Sequence, residues 1–345
     1  MHSTTVAVDL AKDVFEIAVA GETGRIERRD RLSRSGFARF LAVQRPSRVV
    51  MESCGGAHFW ARQALGHGHE VAVLPALYVK AYRRRNKTDR ADCSALLEAV
   101  KNPEIRPVAV KGPHLQAIQG LHRVRSRWMS TRTGRINTLR GLLHEFGLTI
   151  PKGARKAVEL LPERISAPAV PDGLKPMLQE VLAEIRELTR RIGDVEKQLK
   201  ALTRDDPAVQ AVQSVCGIGL LTSTALVASA VDARNFKNGR HLASWIGLTP
   251  REHSSGNTRR LGKMSKRGDV YLRMLFIHGA RSVLLHAGRL QRDGKELNRL
   301  QRWALELKAR TNHNKAAVGL ANKLARIAWA TWFHGREFDA NYAAA

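Results

Sequence analysis

Thr4-Thr5-Val6-Ala7-Val8-Asp9-Leu10-Ala11-Lys12-Asp13-Val14-Phe15-Glu16-Ile17-Ala18-Val19 contains two β-rich runs joined by a short polar turn. The first, residues 4–9, ends in a carboxylate. Over residues 14–19, Phe15, Ile17 and Val19 alternate with Glu16 and Ala18, the period of a strand with two different faces. A polar run at 25–31 adds a third strand, and the short turns make the three a meander. Helices at 36–43 and 57–65 lead to strands at 48–52 and 70–74, and a further helix follows Asp89. Three antiparallel strands followed by alternating strands and helices predict a mixed sheet with helices on its faces.

Charge narrows the partner. The chain has 345 residues, enough for two or three domains, with 58 Lys and Arg against 31 Asp and Glu and a net charge of +27. Such an excess points to a polyanion, and nucleic acid outranks a membrane surface. The weakly polar stretch at 220–231 is too short to span a bilayer, and no signal peptide precedes the apolar run at 6–10. Cys54, Cys93 and Cys216 lie far apart and form no CxxC pair, so neither disulfides nor a zinc site are expected. A cytoplasmic location fits.

Three regions are expected. Residues 1–105 carry +5, residues 106–205 carry +9 and residues 206–345 carry +13. The first is the α/β domain. In the second, a long helix at 115–146 holds Arg123, Arg125, Arg127, Arg132, Arg135 and Arg140, and no acid occurs from Arg106 to His144. A proline-punctuated connector leads to Leu178, Val181, Ile185, Leu188, Ile192, Val195, Leu199 and Leu202, a coiled-coil seam. An intramolecular hairpin and a dimer both satisfy it. The third region is expected to be mainly helical, with helices at 208–214, 220–231, 270–285, 297–308 and 314–333.

Four carboxylates stand out in so basic a chain. Asp9 and Glu52 end predicted strands, while Asp89 and Asp92 lie three apart at the start of a helix. Singly, each has an ordinary role: Asp9 in a turn, Asp89 as a helix cap with Asp92 behind it. Together on one sheet edge, beside Arg83, Arg84, Arg85 and Lys87, they suit one or two Mg²⁺ ions acting on phosphodiesters.

Two further segments draw notice. Arg251, Arg259, Arg260, Lys263, Lys266 and Arg267 surround His253-Ser254-Ser255-Gly256-Asn257-Thr258. A hydroxyl among such cations can attack a phosphodiester, although a Ser-Gly turn is more often only a turn. Gly217 and Gly219, flanking Ile218, either present backbone N–H groups to a phosphate or allow close helix packing.

These motifs occur in an order that resembles one family. Ala7-Val8-Asp9-Leu10-Ala11-Lys12, Met51-Glu52-Ser53-Cys54-Gly55, Asn86-Lys87-Thr88-Asp89-Arg90-Ala91-Asp92, Gly217-Ile218-Gly219 and Gly247-Leu248-Thr249-Pro250-Arg251 with Ser254-Ser255-Gly256 are similar to the DEDD insertion-sequence transposases. This is the IS-one-ten family, here nearest its IS-eleven-eleven branch, with the Piv DNA invertases as relatives. The resemblance covers nearly the whole chain. It implies a RuvC-like domain of the RNase H type, a coiled-coil segment and a C-terminal transposase domain. It also implies Asp9, Glu52, Asp89 and Asp92 as Mg²⁺ ligands, Ser255 as nucleophile, and active sites composed from two subunits. The implied partners are double-stranded DNA at element junction and target, a structured noncoding guide RNA that pairs with both, and further copies of the chain in a dimer or tetramer. The implied reaction cuts top strands through a serine-linked 5′-phosphate and exchanges them. A RuvC-like metal nuclease, with water attacking, is the rival reading. A non-catalytic binding protein is disfavoured by the complete carboxylate set.

Overall fold

Val, Ile and Phe at alternating positions build the N-terminal sheet. In the computed structural model, which describes residues 4–83 and 88–341, the strands are β1 (Thr5–Asp9), β2 (Val14–Ala20), β3 (Ile26–Ser33), β4 (Arg48–Glu52) and β5 (Glu70–Leu74). Their order is β3-β2-β1-β4-β5, antiparallel among the first three and parallel from β1 through β4 to β5. This is the predicted mixed sheet of RNase H type.

Parity decides which side chains face which helices. Val6, Val8, Phe15, Ile17, Val49 and Met51 lie on the face covered by α1 (Arg34–Val43) and α2 (Ala57–Gly66). There Phe15, Phe37 and Trp60 meet with ring centroids 4.8–5.2 Å apart. Each such buried side chain contributes about 1.5–3 kcal/mol. Ala7, Ala18, Ala20, Val50 and Ala72 lie on the opposite face, where small side chains let α4 (Asp89–Ala99) approach closely; the short α3 (Ala76–Val79) precedes it. Helix α1 begins two residues before the predicted start, because the Ser33 hydroxyl accepts the Gly36 N–H.

The chain divides into two compact units, residues 1–114 and 115–345. Helix α5 (Pro113–Glu145) continues into the second, followed by α6 (Ala154–Ile165) and α7 (Lys175–Leu202). Arg125–Glu196 and Arg135–Glu184 ion pairs, with Arg132 donating to Thr189, show α5 and α7 running antiparallel. The heptad residues Leu178, Ile185, Ile192, Val195 and Leu199 are buried within this chain, Leu178 and Ile185 in a cluster shared with α5 and α6, Val195 and Leu199 in one shared with α5. Helix α6 was not expected in the connector, because Pro162 lies inside it. A mid-helix proline costs about 3 kcal/mol. Here Ala157, Leu161 and Ile165, spaced by four, bury one face in the same core, and burial prevails.

The remaining helices are α8 (Pro207–Gln213), α9 (Leu220–Ala230), α10 (Gly239–Ile246), α11 (Val270–Arg292), α12 (Arg299–Arg310) and α13 (His313–His334). Their shared core includes a stripe of α13 formed by Ala316, Ala317, Leu320, Ala321, Leu324, Ala325 and Ala328. Between α10 and α11 a hairpin forms from β6 (Pro250–Glu252) and β7 (Leu261–Met264). Neither α10 nor the hairpin was expected, since both are short and glycine-flanked. Among the described residues no helix is long and apolar enough to cross a membrane.

His122 joins three helices. Its Nε2 lies 2.9 Å from Thr224 Oγ1 on α9 and its Nδ1 lies 3.0 Å from Tyr271 Oη on α11. Burial, with repulsion from Arg125 second, lowers its pKa to about 4. The unfolded chain binds this proton near pH 6.5, so stability present above that pH is lost as the pH falls towards 4. Melts across this window are expected to show a loss of about 2–3 kcal/mol, flattened in His122→Gln.

Candidate active site

The carboxylate edge follows from strand parity. Asp9 is in phase with Ala7, and Glu52 with Val50, so both belong to the face covered by α4. The parallel register pairs Val8 with Met51, leaving Asp9 and Glu52 as the next residues at the C-terminal ends of adjacent strands. Both act on one thiol: Cys54 is raised above its usual pKa by burial, then by the charges of Glu52 and Asp9. Cys93, buried on α4 beside Asp92, is pushed up to about 12, chiefly by burial. Neither thiol is a nucleophile at neutral pH.

Thr88, rather than Asp89, caps α4, its hydroxyl accepting the Ala91 N–H. Asp89 is exposed in the first helical turn and lines a cavity of about 240 Å³ with Glu16, Arg29, Asp30, Arg31 and Arg90. Asp92 is buried and accepts from Arg83 Nε at 2.5 Å. Among the described residues no three His, Cys, Asp or Glu side chains form a ready metal-ligand cluster. The donor set nevertheless fits a hard divalent ion by its chemistry, being all carboxylate oxygen. Arg83 supplies the positive charge at Asp92. Arg84, Arg85 and Lys87 lie outside the described residues.

One carboxylate escaped the sequence reading. Glu16 pairs across the strands with Asp9, shares its face, is 8% exposed and lies 3.5 Å from Arg90 Nε. Its signal was present in the alternation of β2, where Glu16 occupies the same phase as Ala18.

In the second unit, the β6–β7 hairpin carries the two serines to different fates. Ser254 Oγ donates to Glu252 Oε1 at 2.7 Å and accepts the Arg260 N–H at 3.2 Å. This hydroxyl, with Arg259 nearby, holds the Glu252 carboxyl below its usual range. Ser255 exchanges backbone hydrogen bonds with Thr258 around the turn at Gly256, whose φ is +54°. Its hydroxyl stands exposed with no hydrogen-bond partner among the described residues. Arg251, Arg259, Arg260, Lys263, Lys266 and Arg267 are all exposed on this segment.

The two motif sets match known families in the same order. A family model for DEDD transposases of IS110 type matches residues 6–147, and one described as transposase IS116/IS110/IS902 family matches residues 209–295. The chain is 41% identical to a probable family 20 transposase of Pseudomonas aeruginosa, over 96% of this chain and 97% of that protein. It is 40% identical to the transposase for insertion sequence element IS1111A of Coxiella burnetii, over 94% and 88%. This chain belongs to the IS110 family of insertion-sequence transposases. A pilin gene-inverting protein of Moraxella bovis is similar at 23% identity over 98% of each chain.

Several cations of this transposase are already engaged. On α5, Arg125 and Arg135 pair with acids of α7, and Arg140 donates to Pro151 O. Arg123 and Arg127 are exposed and, among the described residues, have no ion-pair partner. Gly217 has φ +85°, and a Cβ there would meet Val283 Cγ2 at 2.5 Å and Gly279 O at 3.0 Å, so close packing against α11 requires its glycine. Gly219 caps α9 with open space around it.

Proposed function

We propose that this transposase is an RNA-guided DNA recombinase that joins donor and target DNA by serine-mediated, metal-assisted cleavage and strand exchange. The observation that carries the reading is the Ser255 hydroxyl, exposed and unpartnered at a cationic hairpin, in a chain that also presents a carboxylate edge. Ser255 Oγ attacks a backbone phosphorus, the Oγ–P bond forms and the P–O3′ bond breaks. The hydroxyl proton is lost to a base, the 3′-oxygen leaves and takes up a proton, and the 5′-phosphate stays on Ser255. Arg251, Arg259, Arg260 and Lys263 offset charge that builds on the phosphoryl oxygens. Asp9, Glu52, Asp89 and Asp92 would hold Mg²⁺, which supplies charge to activate a hydroxyl and stabilise a leaving oxygen when bound. The excess of Lys and Arg suits contact with backbones, while guide pairing reads the sequence.

The test incubates the purified protein and its co-purifying RNA with labelled junction and target DNA in Mg²⁺. A denaturing gel and peptide mass spectrometry are expected to find a DNA adduct on Ser255, with joined product abolished by prior RNase treatment. Nicks without an adduct would indicate a hydrolytic nuclease, and joining that survives RNase would remove the guide.

Arg83 competes with any metal for Asp92. Arg83→Gln is expected to bind Mn²⁺, followed by electron paramagnetic resonance, about tenfold more tightly than the parent chain. Its metal-free stability is expected to fall by about 1–3 kcal/mol as a buried carboxylate loses its partner. Unchanged Mn²⁺ affinity would place Asp92 outside the metal site.

A further inference from the structure

The C-terminal unit carries a second cationic feature. A groove of about 1520 Å³ is lined by α10, α12 and α13, and Pro250, Gly262 and Met264 of the serine hairpin form part of its wall. Arg240, Arg299, Lys315, Lys323, Arg326 and Arg336 line it, against only Glu337 and Asp339 among the described residues. Arg240, Lys315, Arg326 and Arg336 are exposed, and among the described residues none has an acid at ion-pairing distance.

Lys323 Nζ sits 3.9 Å from the Trp303 ring centroid, a cation–π contact. Burial, then repulsion from Arg299 and Arg326, holds this ammonium below its usual pKa. Like charges converging on a partly apolar cleft cost stability unless an anion joins them, and the walls concentrate their field. The volume exceeds the roughly 300–1,000 Å³ of a small-ligand pocket. Its lining is also mixed: Trp303, Leu307, Ile327 and Met264 supply apolar surface between the cations. A duplex presents phosphates and hides its base faces. A single strand offers both phosphates and unstacked bases, the pair of chemistries found here.

We propose that this groove binds a single-stranded segment of nucleic acid, with Arg240, Lys315, Arg326 and Arg336 on its phosphates and bases against the apolar wall. The strand is thereby held beside the foot of the Ser255 hairpin. The significance of that position rests on the recombinase reading, whereas strand binding itself does not.

The experiment uses the full chain, freed of RNA and held in EDTA so that binding is separated from cleavage. Anisotropy of labelled single-stranded RNA, single-stranded DNA and duplex DNA is measured across a salt series. Lys315→Ala/Arg326→Ala is expected to weaken single-strand binding about tenfold near physiological salt and to reduce the salt slope by about 1.4, since each phosphate contact contributes roughly 0.7. Duplex binding is expected to change less than about twofold. Arg240→Ala/Arg336→Ala, on other parts of the rim, gives the same pattern and guards against a local folding defect in the first variant. A larger loss on RNA assigns the strand to a guide, and a larger loss on DNA to a separated DNA strand; either supports the groove. Unchanged affinity and slope for both single strands, or a loss confined to duplex, overturns it. Groove-dependent strand binding without a Ser255 adduct would sink the serine reading alone, and an adduct with groove-independent binding would sink the groove alone.

Discussion

Replacing Ser255 by alanine is expected to abolish the protein–DNA adduct and to lower strand joining by about 10³-fold or more, with nucleic-acid affinity unchanged. The hydroxyl is the atom that bonds to phosphorus, it is exposed, and its turn is held by backbone hydrogen bonds to Thr258 that alanine also makes. Ser254→Ala is expected to act differently. It removes the contacts to Glu252 and Arg260 that brace the hairpin, so the adduct forms more slowly but still on Ser255. Asp9→Asn is expected to lose the adduct and all cleavage together, because it alters the carboxylate edge and leaves the hydroxyl in place. Quantitative gels with intact-mass measurement separate the three. Full cleavage by Ser255→Ala would show water, not serine, to be the attacking group.

Gly247→Ala is expected to lower stability by about 3 kcal/mol or more, a fall in melting temperature of roughly 6–12 °C for a unit of this size. Gly247 ends α10 with φ +82°, and a Cβ there would lie 1.8 Å from Arg267 O. Gly268, φ +78°, is as tightly placed against Trp245 O. The buried Arg273 donates to both Ile246 O, at 3.1 Å, and Arg267 O, at 3.0 Å. These contacts clasp the two feet of the serine hairpin, so strand joining should fall along with stability. Gly256→Ala is the contrast: it meets nothing within 4 Å, and its positive φ costs only about 1 kcal/mol. Calorimetry on both variants checks the difference, and equal melting temperatures would show that the clasp does not hold the hairpin.

What residues 4–74 become was legible because strand faces follow from parity alone. Asp9 had to share a face with Ala7 whatever packed on it, and β1 and β4 both end in carboxylates in the chain's own order. The heptads of α7 likewise specified a helix with one apolar face, and the amphipathic run to Glu145 specified α5. Backbone geometry imposes these periods within a few residues, so local sequence carries them. Tertiary packing decided the rest. It chose α5 and α6 to cover the α7 stripe, kept α6 helical through Pro162 and gave Asp92 to Arg83. It also gathered Arg240, Lys315, Arg326 and Arg336 into one groove from nearly a hundred residues of chain. No spacing rule encodes such meetings, because they arise from the energy of packing distant elements rather than from the repeat of any one of them.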